Sequence, residues 1–570
     1  MADTHDSRPE TPLNPPASSP PDPVSDTQGG EGTTRRDLLV KGAGTLGALT
    51  VLGAASGLAE STASAGRSAV RVRRGGTLVI GADAVGVDFV PPHVFSGRGL
   101  SIAKFAIFDS LYDYPNGDLS KPLQPVLASG PPKVSADGLR YTVQLKKGIK
   151  FHDGTRFDAA AVEFNFMRYL DKNHPYYDPN ATYLRAPLLT GVASVKAVAD
   201  YTVVFTLTQT VGNLTGTIAN TAWGGIMSPT AVQAAGVANA GLSPVGTGPF
   251  RFVSARKGDA ITLARNDAYF RGAPSLDRLV IREIPDPRTL TASLLSGEVQ
   301  LSTFVARGDV ALFRKNKNFN VNAVPSIVTG YMGLNAAGSG GFTNLLDPRK
   351  RLAVCHAVDK QKIINLALGG LGVRGAGMNP PSSWGYQKHY FDFNKHDPTM
   401  ARSLLRAAGG SPDLVILAQS SGYWPSMAEI IQADLNAVGF KATINSVDSA
   451  VFYGTGNQGK QDIFLGEGSP DTFQPYGLYV TFFGKDNARK GRWGGWWDAA
   501  FDRAVKELTT DINQKRSKTR ISYIDGFLLK NGIFQTNYYP SLVTISNKRV
   551  RGLVPLSVNE MACFKAVSLT

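Results

Sequence analysis

The sequence predicts an α/β protein with mixed β-sheets in more than one lobe, and three observations predict it. Strand-like and helix-like segments alternate irregularly, with no repeating unit that would make an array. The pattern restarts beyond Pro325 with a strand-helix-strand unit of its own, which calls for a second sheet. A chain of 570 residues that is 42% hydrophobic is also long enough for two or more cores.

Residues 1–31 are read as a disordered extension. Seven prolines fall in the first 23 positions among Ser, Thr and Asp, leaving too little apolar surface to order the segment. Residues 32–65 differ abruptly: Arg35-Arg36, Leu38-Leu39, Lys41, a mildly apolar Gly/Ala/Leu run and Ala63-Ser64-Ala65 have the layout of a twin-arginine signal peptide with a cleavage site. The mature chain is expected to start near Gly66 and to work outside the cytoplasm; an uncleaved anchor is the alternative. No cysteine follows the apolar run, so no lipid anchor is expected at that site. Gly42 to Gly47 fit G-x-G-x-x-G, but no strand precedes them, which rejects a dinucleotide site.

In the mature chain "TLVIGA" (77–82) reads as a buried strand. "LRYTVQLKKGIKF" (139–151) and "YTVVFTLT" (201–208) alternate apolar and polar residues, as half-buried antiparallel strands do. Between them "FHDGTRFD" reads as a corner: Asp153-Gly154 is a turn, Asp158 an N-cap, Phe157 and Val162 a hydrophobic staple, and Val162, Phe166 and Leu170 one buried face. "FRFVSARKGDAITLARN" (250–266) is a hairpin turning at Lys257-Gly258-Asp259, and Asp286-Pro287 opens a helix. Further on, "YMGLNA" is a strand and "DPRKRLAVCHAVDKQKIINLAL" one long helix opened by Asp347-Pro348. "DPTMARSLLRAAGG" is a capped helix. "LVILAQ" and "FKATINSV" are strands flanking "PSMAEIIQADLNAVG", whose Met427, Ile430, Ile431, Leu435 and Val438 share a face. Two C-terminal helices precede the strand "YPSLVTIS".

The formal charge is +15, yet residues 1–65 hold four Lys/Arg against eight Asp/Glu, so the remainder carries +19. Those charges are scattered, and no RNP, zinc-finger or basic-zipper pattern accompanies them; a solvated surface is expected, with no nucleic acid partner. No run approaches the roughly 20 apolar residues of a membrane span. Cys355 sits at a spacing that suits a buried helix face, and its pairing with Cys563 is left open.

Enzymatic signatures are missing. There is no G-x-S-x-G elbow and no H-E-x-x-H helix, and the seven histidines are dispersed. His389, Asp392 and His396 form a metal-like cluster whose ordinary reading is an exposed polar loop. No catalytic residue, metal or cofactor is expected; the rival reading is a secreted metal-assisted hydrolase using His152, Asp153 or the His389 cluster. Aromatic residues in Gly/Ser loops are the better lead, because an enclosed cleft gains affinity from flat apolar surfaces. They are Trp384 and Tyr386 in "SSWGY", Tyr423 and Trp424 in "SSGYWP", and Trp496 in "GRWGGWWD", each with core packing as the competing role.

Taken in order, "DGLRYTVQLKKGIKFHDGTRFDAAAVEFNFMR", "GTGPFRFV" with "ITLARNDAYFRGAPSLDRLVIR", "LLSGEVQ", "LNAAG" with "DPRKRLAVCHAVDKQKII", "PPSSWGY", "ARSLLRAAG" and "SPDTF" resemble one family from about Thr77 to Thr570. It is the extracytoplasmic solute-binding proteins of ABC importers, family 5, the dipeptide, oligopeptide and nickel binders.

The resemblance implies a periplasmic-binding-protein-like fold of two lobes joined by a hinge. The first lobe would span 66–327 with an inserted subdomain at about 120–245, the second 328–533, and 534–570 would return to the first. The crossings would lie near 323–331 and 534–539. It also implies capture of a peptide or other small solute between the lobes, and an ABC permease with its ATPase as partners. Tyr423, Trp424, Glu467, Asp471 and Phe473 lie in loops that match ligand-contacting loops of the family. The chain departs from the dipeptide pattern at two points. Glu467 stands nearest to where those members hold the peptide amine with an aspartate, and no basic residue lies between Gln419 and Pro425, where they hold the carboxylate with an arginine. Longer peptides held through their backbone, or a sugar-like solute or metal complex, fit these loops as well.

Overall fold

The computed structural model describes residues 74–570 apart from 92, 94–97, 116–117, 119, 182–188, 190, 213, 220–223, 470–474, 484–488, 556–561 and 565. The extension, export signal and cleavage site expected from the sequence lie outside the described residues.

The chain opens with β1 (Thr77–Ala82) and α1 (Arg98–Ile107). A separate four-stranded antiparallel sheet follows, built from β2 (Lys133–Val134), β3 (Arg140–Gln144), β4 (Val192–Ala199) and β5 (Thr202–Leu207) in the order β2-β3-β5-β4, with α2 (Ala159–Leu170) packed against β4. β3 is shorter than the alternation predicts. It leaves the ladder after Gln144 because β5 begins at Thr202, its partner there, and Gly148 turns the chain with φ +79°. The corner beyond is as expected: the Asp158 carboxylate accepts from the Ala161 N–H, and Val162 and Phe166 are buried.

The chain then builds β6 (Phe250–Arg256), β7 (Ala260–Arg265) and β8 (Arg278–Glu283), α3 (Pro287–Ser296), and β9 (Leu301–Ser302) and β10 (Phe319–Pro325). Gly258, at φ +77°, makes the β6-β7 turn, and the Asp286 side chain caps α3. After β11 (Thr329–Leu334) the long helix expected at 347–368 is two, α4 (Pro348–Ala357) and α5 (Lys360–Leu366). Asp359 breaks it. Its carboxylate accepts from the Gln361 and Lys362 N–H groups while Val358 is extended, so a local cap outcompetes helix continuation. Cys355 is a buried free thiol on α4.

Next come β12 (Gly372–Arg374), α6 (Pro398–Ala407), β13 (Asp413–Gln419), α7 (Trp424–Val438), β14 (Lys441–Val447) and β15 (Ile463–Gly468). β13 and β14 are parallel, with α7 crossing between them, and the five apolar residues predicted on the inner face of α7 are all buried. Helices α8 (Ala499–Thr510) and α9 (Gln514–Lys530) precede β16 (Phe534–Asn547), which begins five residues before the strand read from "YPSLVTIS".

β16 organises the large sheet. This sheet has twelve strands in the order β14-β13-β15-β11-β16-β9-β1-β8-β7-β6, with β10 and β12 also pairing to β16. Residues Phe534 to Pro540 pair with β11 and β12, whereas Ser541 to Asn547 pair with β10 and β9. Pro540, which has no N–H to give, stands at the change of partners. The other connection, residues 326–328, runs beside it, and the Ser326 N–H donates to the Pro540 carbonyl at 3.1 Å. One half-sheet thus joins the other through two adjacent backbone segments.

Candidate functional site

Three strands place a group of side chains at the junction of the two half-sheets. β13 and β15 are parallel, so their carboxyl ends lie on one edge, and the sequence continues from them into the Gln419–Tyr423 loop and the Glu467–Gly468 strand end. In the other half β1 and β9 are also parallel; beyond their carboxyl ends come Asp83, Arg98 and Arg307. Carboxyl edges of parallel strands are where open α/β sheets gather ligand groups, because the connecting loops diverge there.

Tyr423 stacks on Trp424 with ring centroids 5.3 Å apart, and its hydroxyl donates to Glu467 Oε1 at 2.5 Å. Tyr538, on β16, is buried with its hydroxyl beside the same two residues. There is room for the ring because Gly330, paired with Tyr538 across β11 and β16, has no side chain: a Cβ there would lie 2.2 Å from Tyr538 Cζ. Burial raises the Glu467 carboxyl above its usual range, opposed by the Tyr423 hydrogen bond and the nearby Arg307 charge. Burial and the Glu467 charge together hold the Tyr423 phenol well above its ordinary value.

From the opposite half-sheet, the Arg307 guanidinium lies 5.1 Å from the centre of the Tyr423 ring. Arg98 lies over Phe304 at 4.6 Å and is salt-bridged to Asp83, which also accepts from its backbone N–H at 2.9 Å. The arrangement therefore offers a carboxylate, two phenols and an arginine where the two half-sheets meet, groups suited to holding a polar or charged solute beside aromatic faces.

The residues singled out from sequence are distributed as follows. Tyr423 and Glu467 come together; Trp424, 8% exposed, lies beneath Tyr423 in the core of the β13-α7 layer. Trp496 packs on Phe501 and Phe527, among the C-terminal helices. Tyr386 meets Tyr539 edge to face at 6.1 Å. Trp384 lines a groove of about 400 Å³ with Tyr114, Tyr141, Tyr476 and Ile512, and its buried indole N–H has no partner. That groove shares no lining residue with the Tyr423 cluster. Asp471 and Phe473 lie outside the described residues.

Arg307, Arg98 and Tyr538 were not among the residues singled out. Arg307 follows a two-residue strand and Tyr538 sits inside a longer one; no local pattern distinguishes them, and only sheet pairing brings them to Tyr423.

The histidines have other tasks. His152 Nε2 bonds the Gly248 carbonyl at 2.9 Å, and burial pushes its pKa down to about 4; Asp153 accepts from the Ser228 hydroxyl at 2.6 Å and from Thr155. Both stitch the corner to residues 228–248. His389 pairs with Ser522 and Asp392 with Arg374, and among the described residues no three His, Cys, Asp or Glu side chains converge as metal ligands. Among those residues, too, no helix is long and apolar enough to cross a membrane.

Residues 122–490 match the model of the family described as "Bacterial extracellular solute-binding proteins, family 5 Middle". Di/tripeptide-binding protein 2 of Pseudomonas aeruginosa is 28% identical over 471 residues, covering 77% of this chain and 85% of that protein. The glutathione-binding protein GsiB of Salmonella paratyphi A is 31% identical over 406 residues, covering 70% and 73%. Among solved structures, the ABC transporter-associated periplasmic binding protein DppA of Helicobacter pylori, in complex with the peptide STSA, superposes with a TM-score of 0.70 at 25% identity, covering 87% of this chain and 98% of that one.

Proposed function

Since the chain belongs to the family 5 bacterial extracellular solute-binding proteins, we propose that it is the solute-binding subunit of an ABC importer that captures peptides between two lobes and delivers them to a membrane permease. The observation that carries this reading is the Tyr423–Glu467 pair at the carboxyl edge of one half-sheet, faced by Arg307 from the other. A peptide presents an amine, a carboxylate and backbone amides, and this set of groups can pair with each. The similarity to a di/tripeptide-binding protein supports the same ligand class.

The two half-sheets are read as the lobes. The crossings are read at 326–328 and at Pro540–Ser541, a reading supported by the pairing of β16 with β11 and β12 through Pro540. The four-stranded sheet lies in the inserted subdomain of the first lobe. Two adjacent backbone segments suit a hinge that costs little to close, as it must where a micromolar ligand supplies only about 8 kcal/mol. In this reading Arg35 and Arg36 direct export by the twin-arginine machinery, and no catalytic step is assigned to the chain.

Native mass spectrometry of the mature protein, expressed in its exported form, tests the reading. A ladder of co-purifying peptide masses is expected. A single non-peptide mass would sink the peptide assignment, and turnover of that solute would sink the binding-protein reading as well.

A further inference from the structure

The charged side chains at the cleft edge are not equally satisfied. Arg98 is neutralised by Asp83, and Glu467 takes the Tyr423 proton donor. Arg307, half-buried, forms no ion pair among the described residues; its one hydrogen bond, to the Leu371 carbonyl, is long at 3.4 Å. A guanidinium over an aromatic ring and partly out of water favours an anion in the open position beside it. Here that position lies next to Tyr423, whose hydroxyl end holds the Glu467 carboxylate.

We propose that Arg307 binds the terminal carboxylate of the captured peptide, so that the anion anchor comes from the first lobe and not from the Gln419–Pro425 loop. The assignment rests on the peptide reading above. Three observations carry it: the loop holds no basic residue, Arg307 reaches over that loop's tyrosine, and among the described residues it forms no ion pair. Glu467 and Arg307 stand one tyrosine side chain apart, a span that an extended peptide of two or three residues covers at roughly 3.3–3.6 Å per residue. Because the two charges belong to different halves of the sheet, a zwitterionic ligand gains both contacts only when the halves are together. Recognition and closure are then one event, and a ligand lacking the carboxylate closes the protein poorly.

The test compares Leu-Leu and Leu-Leu-Leu, each as free acid and as C-terminal amide, by calorimetric titration of the wild-type protein, Arg307→Met and Arg307→Lys. Methionine keeps an apolar stem over Tyr423 and removes the charge; lysine keeps the charge without the two-pronged donor. Wild type is expected to prefer the acids by about ten- to a hundredfold, the range of a charge-assisted contact. Arg307→Met should weaken the acids alone and erase the preference, and Arg307→Lys should restore part of it. Equal binding of acid and amide by wild type would overturn the assignment. So would an equal loss for both forms in Arg307→Met, which would make Arg307 a latch between the lobes only. If neither form binds any variant while wild type retains a different co-purified solute, the peptide reading itself falls, and the assignment with it.

Discussion

The Tyr423 hydroxyl and the Glu467 carboxylate, 44 positions apart, meet at 2.5 Å because one precedes α7 and the other closes β15, and β13 and β15 run parallel with their carboxyl ends together. The carboxylate is thereby oriented by the phenol. Glu467→Gln keeps the shape and removes the charge. Affinity for peptides with a free amine is expected to fall about ten- to a hundredfold, with N-acetylated peptides little changed, by calorimetric titration. Because burial raises the Glu467 carboxyl, wild-type affinity for free-amine peptides should also decline as pH falls through that raised value, and the decline should vanish in Glu467→Gln.

Gly330 is the second test. An alanine Cβ would meet the Tyr538 ring at 2.2 Å, and a fully buried ring lying over Gly330 cannot simply turn away. Gly330→Ala should cost about 1–3 kcal/mol in urea unfolding and weaken peptide binding by displacing Tyr538. Gly308→Ala, where a Cβ meets nothing within 4 Å, is the control for stability.

His93 ties the segment between β1 and α1 to the chain beyond α2. Its ring bonds Asp88 at 2.6 Å and Asp178 at 2.9 Å. Burial alone would lower its pKa, but the two aspartates outweigh burial and hold it up to about 9. The imidazolium therefore contributes stability that is full below 6.5, its ordinary value, and is lost as pH rises toward 9. Urea unfolding should show stability falling across that window. His93→Gln should be less stable at pH 6 and flatter between pH 6.5 and 9.

His152→Ala separates structure from chemistry. The variant loses the bond to the Gly248 carbonyl at a corner that packs in a different hydrophobic core from Tyr423. The Gly248 carbonyl keeps its bond from the Asn266 amide at 3.0 Å, so loss of the buried ring and its bond should cost about 1–3 kcal/mol of stability, while peptide affinity stays within twofold. A hydrolytic activity of the wild type that this change abolished would favour an enzyme.

Arg35→Lys with Arg36→Lys tests the proposed export signal. The receptor reads the guanidinium pair, so the doubly substituted precursor should remain in the cytoplasm while wild type is recovered outside it, by fractionation and immunoblotting. Equal recovery of both would remove the twin-arginine assignment.

Much of the fold was legible because its signals are local. Asp158, Asp286, Asp347 and Asp397 each cap the helix read from sequence, and the turn at Gly258 and the inner face of α7 follow from residue type and spacing. The errors fell where a neighbour decides. Gln144 ends β3 because β5 ends its pairing there, and Asp359 splits one apolar helical pattern into two helices by a cap that the pattern does not contain.

By itself the sequence determined the chemistry available in two loops: an aromatic Ser/Gly segment around Tyr423 and an acid at Glu467, with no basic residue between Gln419 and Pro425. Tertiary structure decided which partners that chemistry meets. Tyr538 enters from a strand shared by both half-sheets, and Arg307 arrives from a strand end in the other half. Sheet pairing is a long-range choice, set by register and by which strands lie side by side, and short-range patterns carry little information about either. The physical consequence is that an arginine reaches the Tyr423 ring from the other half-sheet, where only the folded chain can bring it.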